Sequence, residues 1–310
     1  MTIFPDMQSQ VDVAHWGWDI AVFLWLVGLS GMGTFAYYWL RRAPLAWMTL
    51  ITVGAGLVVV FSHLSRWWNL PVAVFHAIVN FSFNWGSWMM IGIALLSIQA
   101  VLALLLCVHH VALSRGWAQS GGLAATLSKA AALVATRNVP LALVAAFGVL
   151  VTIYSGFLLT QAVGVPLWNT SLLPILWVFS AGVAVLDVLD LFHLQGWIEE
   201  AIDRTLIKLT LVMESIKLMM LGAFVYVGVS GTSAGARMGA SDLVSGDLAP
   251  MFWGGVILFG ALVPMGAVAY SLGVRKIRSV VAVGAVLGLA GGLLLRASIL
   301  LAGRYETLVF

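Results

Sequence analysis

Residues 85–108 read WGSWMMIGIALLSIQAVLALLLCV, a stretch of 24 residues without a single Asp, Glu, Lys or Arg. At 1.5 Å of rise per residue, a helix of this length covers about 36 Å, which exceeds the roughly 30 Å of hydrocarbon in a bilayer. The stretch therefore predicts a helix that crosses a membrane. It decides the fold class, because comparable stretches recur along the sequence.

The whole protein has the composition of a membrane protein. Of its 310 residues, 62% are hydrophobic and 9% are charged, and its mean hydropathy is +1.05. Soluble domains carry roughly 25% charged residues. The apolar excess runs from end to end, which excludes a soluble enzyme with one hydrophobic anchor. The few Lys and Arg residues form no stripe that could follow a phosphate backbone, so nucleic acid is not expected as a partner.

Eight segments are predicted to cross the membrane and to form an all-α protein: residues 16–40, 45–64, 85–108, 139–160, 171–192, 207–230, 251–272 and 279–302. Eight spans place both termini on one side. Alternate loops on the other side carry most of the basic residues, so the positive-inside rule predicts that these loops are cytoplasmic and that both termini lie outside. The residues in these loops are Arg41, Arg42, Arg115, Lys129, Arg137, Arg204, Lys208, Arg275, Lys276 and Arg278.

Residues 1–310 read as a single membrane domain, because no segment has the composition of an interdomain linker. Spans one to four, about 16–160, and spans five to eight, about 171–302, are predicted to form two four-helix bundles. The longest loop, 109–138, contains an Ala-rich stretch at 123–135 that predicts a short helix lying on the cytoplasmic surface of the membrane.

Metal-bearing cofactors are not expected in this protein. The single cysteine, Cys107, cannot supply the four thiolates that an iron–sulfur cluster normally takes. A b-type haem needs two histidines at matching depth on facing helices, and the histidines that could pair lie at or beyond the predicted span ends. A haem-containing dehydrogenase anchor remains an alternative, which a reduced-minus-oxidised visible spectrum would reveal.

Polar residues gather at the predicted outer ends of the first four spans. One such residue alone is more often a solvated interfacial side chain than a ligand. Here four successive elements place hydrogen-bonding groups at one depth beside the hydrophobic stretch 70–83, and a pocket of this kind suits an amphipathic, lipid-soluble ligand. The candidates are His15, Asp19, Ser62, His63, Arg66, His76, Asn80, Asn84, Tyr154 and Ser155.

Charged residues also lie inside the predicted spans, where each charge costs at least about 2.5 kcal/mol at the bilayer centre. Two explanations are equally open for this inner group. Glu214 and Lys217 could form an ion pair that holds the helices together, or the group could conduct protons, with the mid-span Gln99 linking it through water to the outer pocket. The group consists of Asp187, Asp190 and His193 on span five, Glu214 and Lys217 on span six, and Arg296 on span eight.

Three groups of motifs resemble the NrfD/polysulfide-reductase (PsrC-like) membrane subunits. The resemblance covers spans one to five well and spans six to eight in hydropathy alone. The motifs are WGW at 16–18 with GLSGMG at 28–33, HLSRWW at 63–68 with NF at 80–81 and WGSW at 85–88, and YSGF at 154–157 followed by PLWN at 166–169.

This resemblance implies a haem-free, quinone-reactive anchor in the cytoplasmic membrane of a bacterium or archaeon. It implies two partners, an outward-facing four-cluster iron–sulfur subunit and a molybdopterin catalytic subunit. By position, Tyr154 matches the quinone-contacting tyrosine of the family.

The first hypothesis is that quinol, either menaquinol or ubiquinol, binds at the outer pocket and passes its electrons to a cluster of the partner. His63, His15 or Asp19 would take the protons, because histidine titrates near neutrality. Tyr154 would bond a quinone carbonyl, and the remaining ligand contacts would come from Arg66, Asn80, Asn84 and Ser155.

A second hypothesis is a secondary transporter or ion channel, whose route the inner charged group would line. Pro264 and Gly266 on span seven are its candidates for a broken helix.

Under the first hypothesis, the cluster subunit is expected to dock on Arg237, on the loop 231–250 and on the segment before His15.

Overall fold

A computed structural model of the protein describes residues 13–14, 16–63, 68–119, 121–198, 204–273 and 278–306. His15 and Arg66, both predicted to belong to the outer pocket, lie outside these ranges. Within them the protein consists of helices and short connections, with one isolated bridge that pairs Val13 with Arg304.

Eight helices in the described residues are long and apolar enough to cross a membrane, which confirms the all-α, eight-span prediction. The third runs past its predicted end at 108 and stops at Gly116, whose φ of 64° closes it in the left-handed conformation that glycine adopts freely. The spans are α1 Trp18–Leu40, α2 Ala43–His63, α4 Trp88–Arg115, α6 Asn138–Thr160, α7 Leu172–Leu194, α8 Arg204–Ser230, a seventh span within 250–273, and α11 Arg278–Leu301.

Three shorter helices connect the spans: α3 Asn69–Val79, α5 Leu123–Thr136 and α9 Ala234–Val244. Helix α5 agrees with the short helix predicted at 123–135, and it packs on α4 and α6. Its small residues Ser128, Ala131 and Ala135 face inward.

The seventh span changes its winding along its length. Residues Pro250–Leu262 form a π-helix, and α10, Val263–Gly273, continues it as an α-helix. The N–H of Val263 still bonds the carbonyl of Leu258, five residues back, so the helix continues through the junction. Pro264 therefore lies where the helix changes from π to α winding. The transporter hypothesis requires the helix to break there.

Both ends of the described part of the protein lie at one end of the molecule, which we call the terminal face. The N–H of Ala14 donates to the carbonyl of Gly303 over 3.0 Å, and the indole of Trp168 donates to the carbonyl of Ile299 over 2.8 Å. Because the spans alternate in direction, this face also holds the start of α1 and α4 and the end of α2 and α6. We call the other end the opposite face.

Helix α1 packs on four other spans, namely α2, α6, α7 and α11. It approaches α6 to backbone contact. A Cβ on Gly31 would collide with the carbonyl of Gly148, and a Cβ on Gly148 would collide with the carbonyl of Gly31 and the hydroxyl of Thr34. Small residues let membrane helices approach to backbone contact, where dispersion forces and weak polar contacts hold them.

Within each half of the molecule, neighbouring spans contact one another in a closed ring. In the first half α1, α2, α4 and α6 contact one another in that order and α6 returns to α1. In the second half α7 contacts α8, α8 contacts α10, and α11 contacts both parts of the seventh span and α7.

Candidate functional site

The side chains of Asp19 and His63 are in contact at the terminal face. Asp19 lies in the first turn of α1 and His63 in the last turn of α2. The Asp19 carboxylate therefore lies at the helix end where the helix dipole stabilises negative charge. The imidazole Nδ1 contacts a carboxylate oxygen, and the side chains are 36% and 42% exposed. The pair is open to a ligand from outside, as a proton acceptor must be.

Tyr154 lies on α6, six residues before the end of that helix, and is 5% exposed. Its phenol donates to the backbone carbonyl of Trp88, the first residue of α4, over 2.7 Å. A Cβ on Gly92 would collide with the phenol oxygen. Glycine at position 92 therefore gives Tyr154 the space to reach the terminal end of α4.

Trp88 contacts Tyr154 directly, although the sequence analysis does not include it among the candidate ligand residues. Its ring stacks on that of Tyr154 at 6.1 Å between centroids and on that of Phe157 at 5.8 Å. Phe157 follows Tyr154 by three residues, so both lie on one face of α6. The sequence signal for this contact is Gly92, a glycine one turn into an apolar span.

The other polar residues predicted here make local bonds. The hydroxyl of Ser155 is buried and donates to the carbonyl of Thr152 on its own helix over 2.6 Å. The side-chain oxygen of Asn84 accepts from the N–H of Gly86 over 3.1 Å, which makes a turn before α4. Asn80 is exposed at the end of α3.

Helix α3 and the turn that follows it present apolar side chains outward beside the site. Val72, Phe75 and Val79 lie along one side of α3 and are 55%, 63% and 56% exposed. Phe81 is 88% exposed, with a φ of 50° that turns the backbone towards α4. These exposed residues belong to the apolar stretch predicted at 70–83.

Three members of the inner charged group, Asp187, Glu214 and Lys217, are buried between α7, α8 and α11, whereas Asp190 and His193 on α7 are half-buried. Glu214 and Lys217 are 2% and 3% exposed, and the Lys217 ammonium lies 2.6 Å from a carboxylate oxygen of Glu214. The carboxylate of Asp187 packs against Gly288, where a Cβ would collide with it. Lys217, Glu214 and Asp190 all lie close enough to Asp187 for their charges to act on it.

Gln99 lies near the middle of α4, and Arg296 lies five residues before the terminal-face end of α11. The amide of Gln99 donates to the hydroxyl of Ser30 on α1 over 3.1 Å, and its oxygen is buried without a hydrogen bond. Arg296, fully buried on α11, donates to the hydroxyl of Ser180 over 3.1 Å and lies 5.1 Å from the ring centre of Trp177.

The histidines at the opposite face have their own partners. The phenol of Tyr37 lies 2.9 Å from Nε2 of His110, and Nδ1 of His193 lies 3.2 Å from the carbonyl of Ile198. Among the described residues, no group of three or more His, Cys, Asp or Glu side chains could hold a metal ion.

A separate apolar cavity of about 440 Å³ lies between α10 and α11, in the second half of the molecule. Tyr270, Ser279 and Val283 are among the residues that line it. It is wide open to the outside.

The C-terminal segment packs across the terminal face onto α9. Glu306 accepts from the N–H groups of Ala234 and Gly235, each over 3.1 Å, and from the hydroxyl of Ser233. These bonds, that of Ser233 foremost, lower the pKa of the Glu306 carboxyl. Arg304 forms an ion pair with Asp242.

Arg237, predicted as part of a docking surface, lies on α9 at this face. Its guanidinium donates to the carbonyls of Gly231 and Thr232 over 2.9 and 2.7 Å. The predicted docking loop 231–250 is therefore largely helical and is tied to the C-terminal segment.

Eight apolar helices of membrane length, with charged groups buried among them, define a multi-pass membrane protein. The family model described as "Polysulphide reductase, NrfD" matches residues 5–307, and so the protein belongs to the NrfD family.

Two relatives align over nearly their whole length. A polysulfide reductase subunit of Wolinella succinogenes is 30% identical, and the alignment covers 96% of the present sequence and 96% of that protein. "Protein NrfD" of Escherichia coli (strain K12) is 28% identical over 93% of the present sequence and 95% of the relative. The family named from the residues of spans one to five is thus confirmed.

Proposed function

We propose that this protein is the membrane anchor of a respiratory oxidoreductase complex and exchanges electrons between the quinone pool and an iron–sulfur subunit. The observations that support the proposal are two groups of side chains at the terminal face, the Asp19–His63 pair and the stacked Tyr154 and Trp88. Family membership supports the same conclusion, because a relative that aligns over nearly the full length is named as part of a polysulfide reductase.

The site offers the chemistry that quinol oxidation requires. A quinol must lose two protons with its two electrons, and a partly exposed histidine held by a carboxylate can accept a proton and release it to water. The apolar surface of α3 and the aromatic pair of Tyr154 and Trp88 suit the ring and tail of a quinone. Menaquinone and ubiquinone both meet this description.

The distribution of the basic residues supports one orientation of the protein in the membrane. The terminal face would lie outside the cytoplasmic membrane, because the exposed basic residues at the ends of α1, α4 and α5 lie at the opposite face. A four-cluster iron–sulfur subunit would then dock on the terminal face, against α9 and Arg237. A molybdopterin subunit would carry the terminal chemistry, since the NrfD-family protein supplies the electron path to the membrane.

The inner charged group supports a further part of the proposal, that electron transfer moves protons across the membrane. Asp190 and Asp187 lead inward from the opposite face along α7, and the Glu214–Lys217 pair lies beside them on α8. Gln99 contacts α1 at Ser30, so a route from this group to the terminal face needs bound water at that point.

The proposal is tested by measuring quinol-dependent reduction of the partner subunits in the purified complex. Asp19→Asn and His63→Gln are each expected to lower the rate about tenfold or more, because each removes a member of the proton-accepting pair. Ser62→Ala is the matched control, since the Ser62 hydroxyl bonds the Val59 carbonyl of its own helix. Parent-like rates in both site variants would reject the site.

A further inference from the structure

The stretch between Asp19 and Asp187 carries positive charge alone. Residues 20–186 contain no Asp or Glu, and their six basic residues are Arg41, Arg42, Arg66, Arg115, Lys129 and Arg137. All of these except Arg66, which lies outside the described residues, are exposed at the opposite face. No carboxylate lies within this stretch of the sequence, so its net charge is positive.

Two of these arginines are held at one place. Arg41 ends α1, and its guanidinium donates to the carbonyl of Thr136 over 3.2 Å and to the side-chain oxygen of Asn138 over 2.6 Å. Thr136 and Asn138 flank Arg137, the connection between α5 and α6. The structure thus fixes the Arg41 guanidinium beside the backbone of Arg137, whose side chain is exposed.

Among the described residues, the partners of Arg41 are neutral and leave part of the guanidinium unused. A guanidinium has five N–H donors, and a third bond, from Nε to the carbonyl of Tyr38, is long at 3.5 Å. Each terminal nitrogen keeps one further donor. An arginine with unused N–H donors can bind a phosphate group, whose oxygens can accept hydrogen bonds from two guanidinium groups at once.

The surroundings of the pair are apolar and face outward. Val139 and Leu143 follow Arg137 on α6, one turn apart on the same helix face, and are 73% and 67% exposed. Leu133 on α5 is 56% exposed. A ligand with a phosphate at the arginines would therefore have hydrocarbon-compatible surface directly beside it, at the end of a membrane span.

We propose that Arg41 and Arg137 bind the phosphate of an anionic phospholipid, whose acyl chains lie along Val139 and Leu143. The pair lies at the ends of α1 and α6, which is the level of the lipid headgroups for helices that span the bilayer. The lipid would neutralise the two arginines and hold the α5–α6 junction against α1.

Native mass spectrometry of the purified complex tests this, with phosphatidylglycerol and phosphatidylcholine of identical acyl chains as the two probes. The parent protein is expected to retain more phosphatidylglycerol than phosphatidylcholine. Each arginine near a headgroup is worth roughly a fivefold change in binding, so Arg41→Gln with Arg137→Gln should weaken phosphatidylglycerol binding about 25-fold. Phosphatidylcholine binding should change little.

Lys129→Gln is the matched control, because Lys129 is an exposed cation on α5 that lies away from the junction. Should the double variant fail to assemble, Arg137→Gln alone preserves the Arg41 bonds and should still give a loss of about fivefold. Inorganic phosphate in excess should leave the lipid bound. The proposal would be overturned by equal retention of the two lipids, by a loss in Lys129→Gln as large as in the double variant, or by displacement with inorganic phosphate.

Discussion

Tyr154 is the residue whose surroundings most constrain what the terminal-face site can do. Its phenol donates to a backbone carbonyl, which fixes the ring while leaving the oxygen lone pairs open to a ligand. The ring position also depends on Gly92, where a side chain would collide with it. The tyrosine is therefore positioned by the packing of α4 and α6.

Tyr154→Phe is expected to lower quinol-dependent reduction of the partner about tenfold while the complex stays assembled. The substitution removes one hydrogen bond, worth about 1 kcal/mol to stability, and the phenol oxygen that would accept from a quinol hydroxyl. Quinol oxidation in the purified complex measures the effect.

The matched control is Tyr37→Phe, which removes a phenol of equal size at the opposite face, where it contacts His110. Equal losses of activity in the two variants would show that Tyr154 acts through stability alone.

At the scale of the elements, the helices meet through glycines whose contacts the sequence does not reveal. Span positions followed from hydropathy, because a membrane helix must be long and apolar whatever it packs on. Close approaches such as Gly31 with Gly148, or Gly92 with Tyr154, depend on which helices become neighbours. Hydropathy carries no information on that, so the contact between Trp88 and Tyr154 could not be predicted.

Gly148→Ala should lower the stability of the protein by about 1–3 kcal/mol, because the added methyl group meets the backbone of α1. Thermal unfolding in detergent measures the change. Gly54→Ala on α2 is the control, since nothing lies within 4 Å of its Cβ position and alanine favours the helix. An unchanged melting temperature in Gly148→Ala would contradict the close α1–α6 contact.

Glu306→Gln should weaken the attachment of the C-terminal segment to α9 and reduce the pH dependence of stability. The folded-state pKa of Glu306 lies below its ordinary value of 4.5. Its contribution is therefore complete above pH 4.5 and is lost as the pH falls through the folded-state pKa.

Melting temperatures at about pH 7 and about pH 4 measure this contribution. The parent should lose more stability on acidification than Glu306→Gln does. Asp247→Asn, which removes an exposed carboxylate outside this contact, should behave like the parent.

At the scale of the whole molecule, the hydrogen-bonding site lies in the first four spans and most of the buried charges lie in the last four. The sequence predicted both groups, because polar residues in apolar spans are conspicuous. It did not predict their connections. Gln99 bonds Ser30 on α1, and Arg296 bonds Ser180 beside Trp177, so the two groups have no direct hydrogen bond through these residues.

Asp187→Asn and Lys217→Met should separate a proton pathway from a structural ion pair. Lys217→Met leaves Glu214 buried without its cation and should cost about 3–5 kcal/mol of stability, most of which Glu214→Gln in the same protein should restore. Asp187→Asn preserves shape, and if the group conducts protons it should lower translocation more than quinol turnover in proteoliposomes. If Asp187→Asn and Glu214→Gln translocate protons at the rate of the parent, the inner charged group is structural and does not conduct protons.

The central claim, that quinone binds at the terminal face beside Tyr154 and His63, is tested most directly by photolabelling the complex with an azido-quinone and mapping the labelled peptides. We predict labels in the last turn of α2, in 80–92 and in the last two turns of α6, with protection by excess unmodified quinone. A protected label confined to the cavity between α10 and α11, around Tyr270 and Ser279, would contradict the claim.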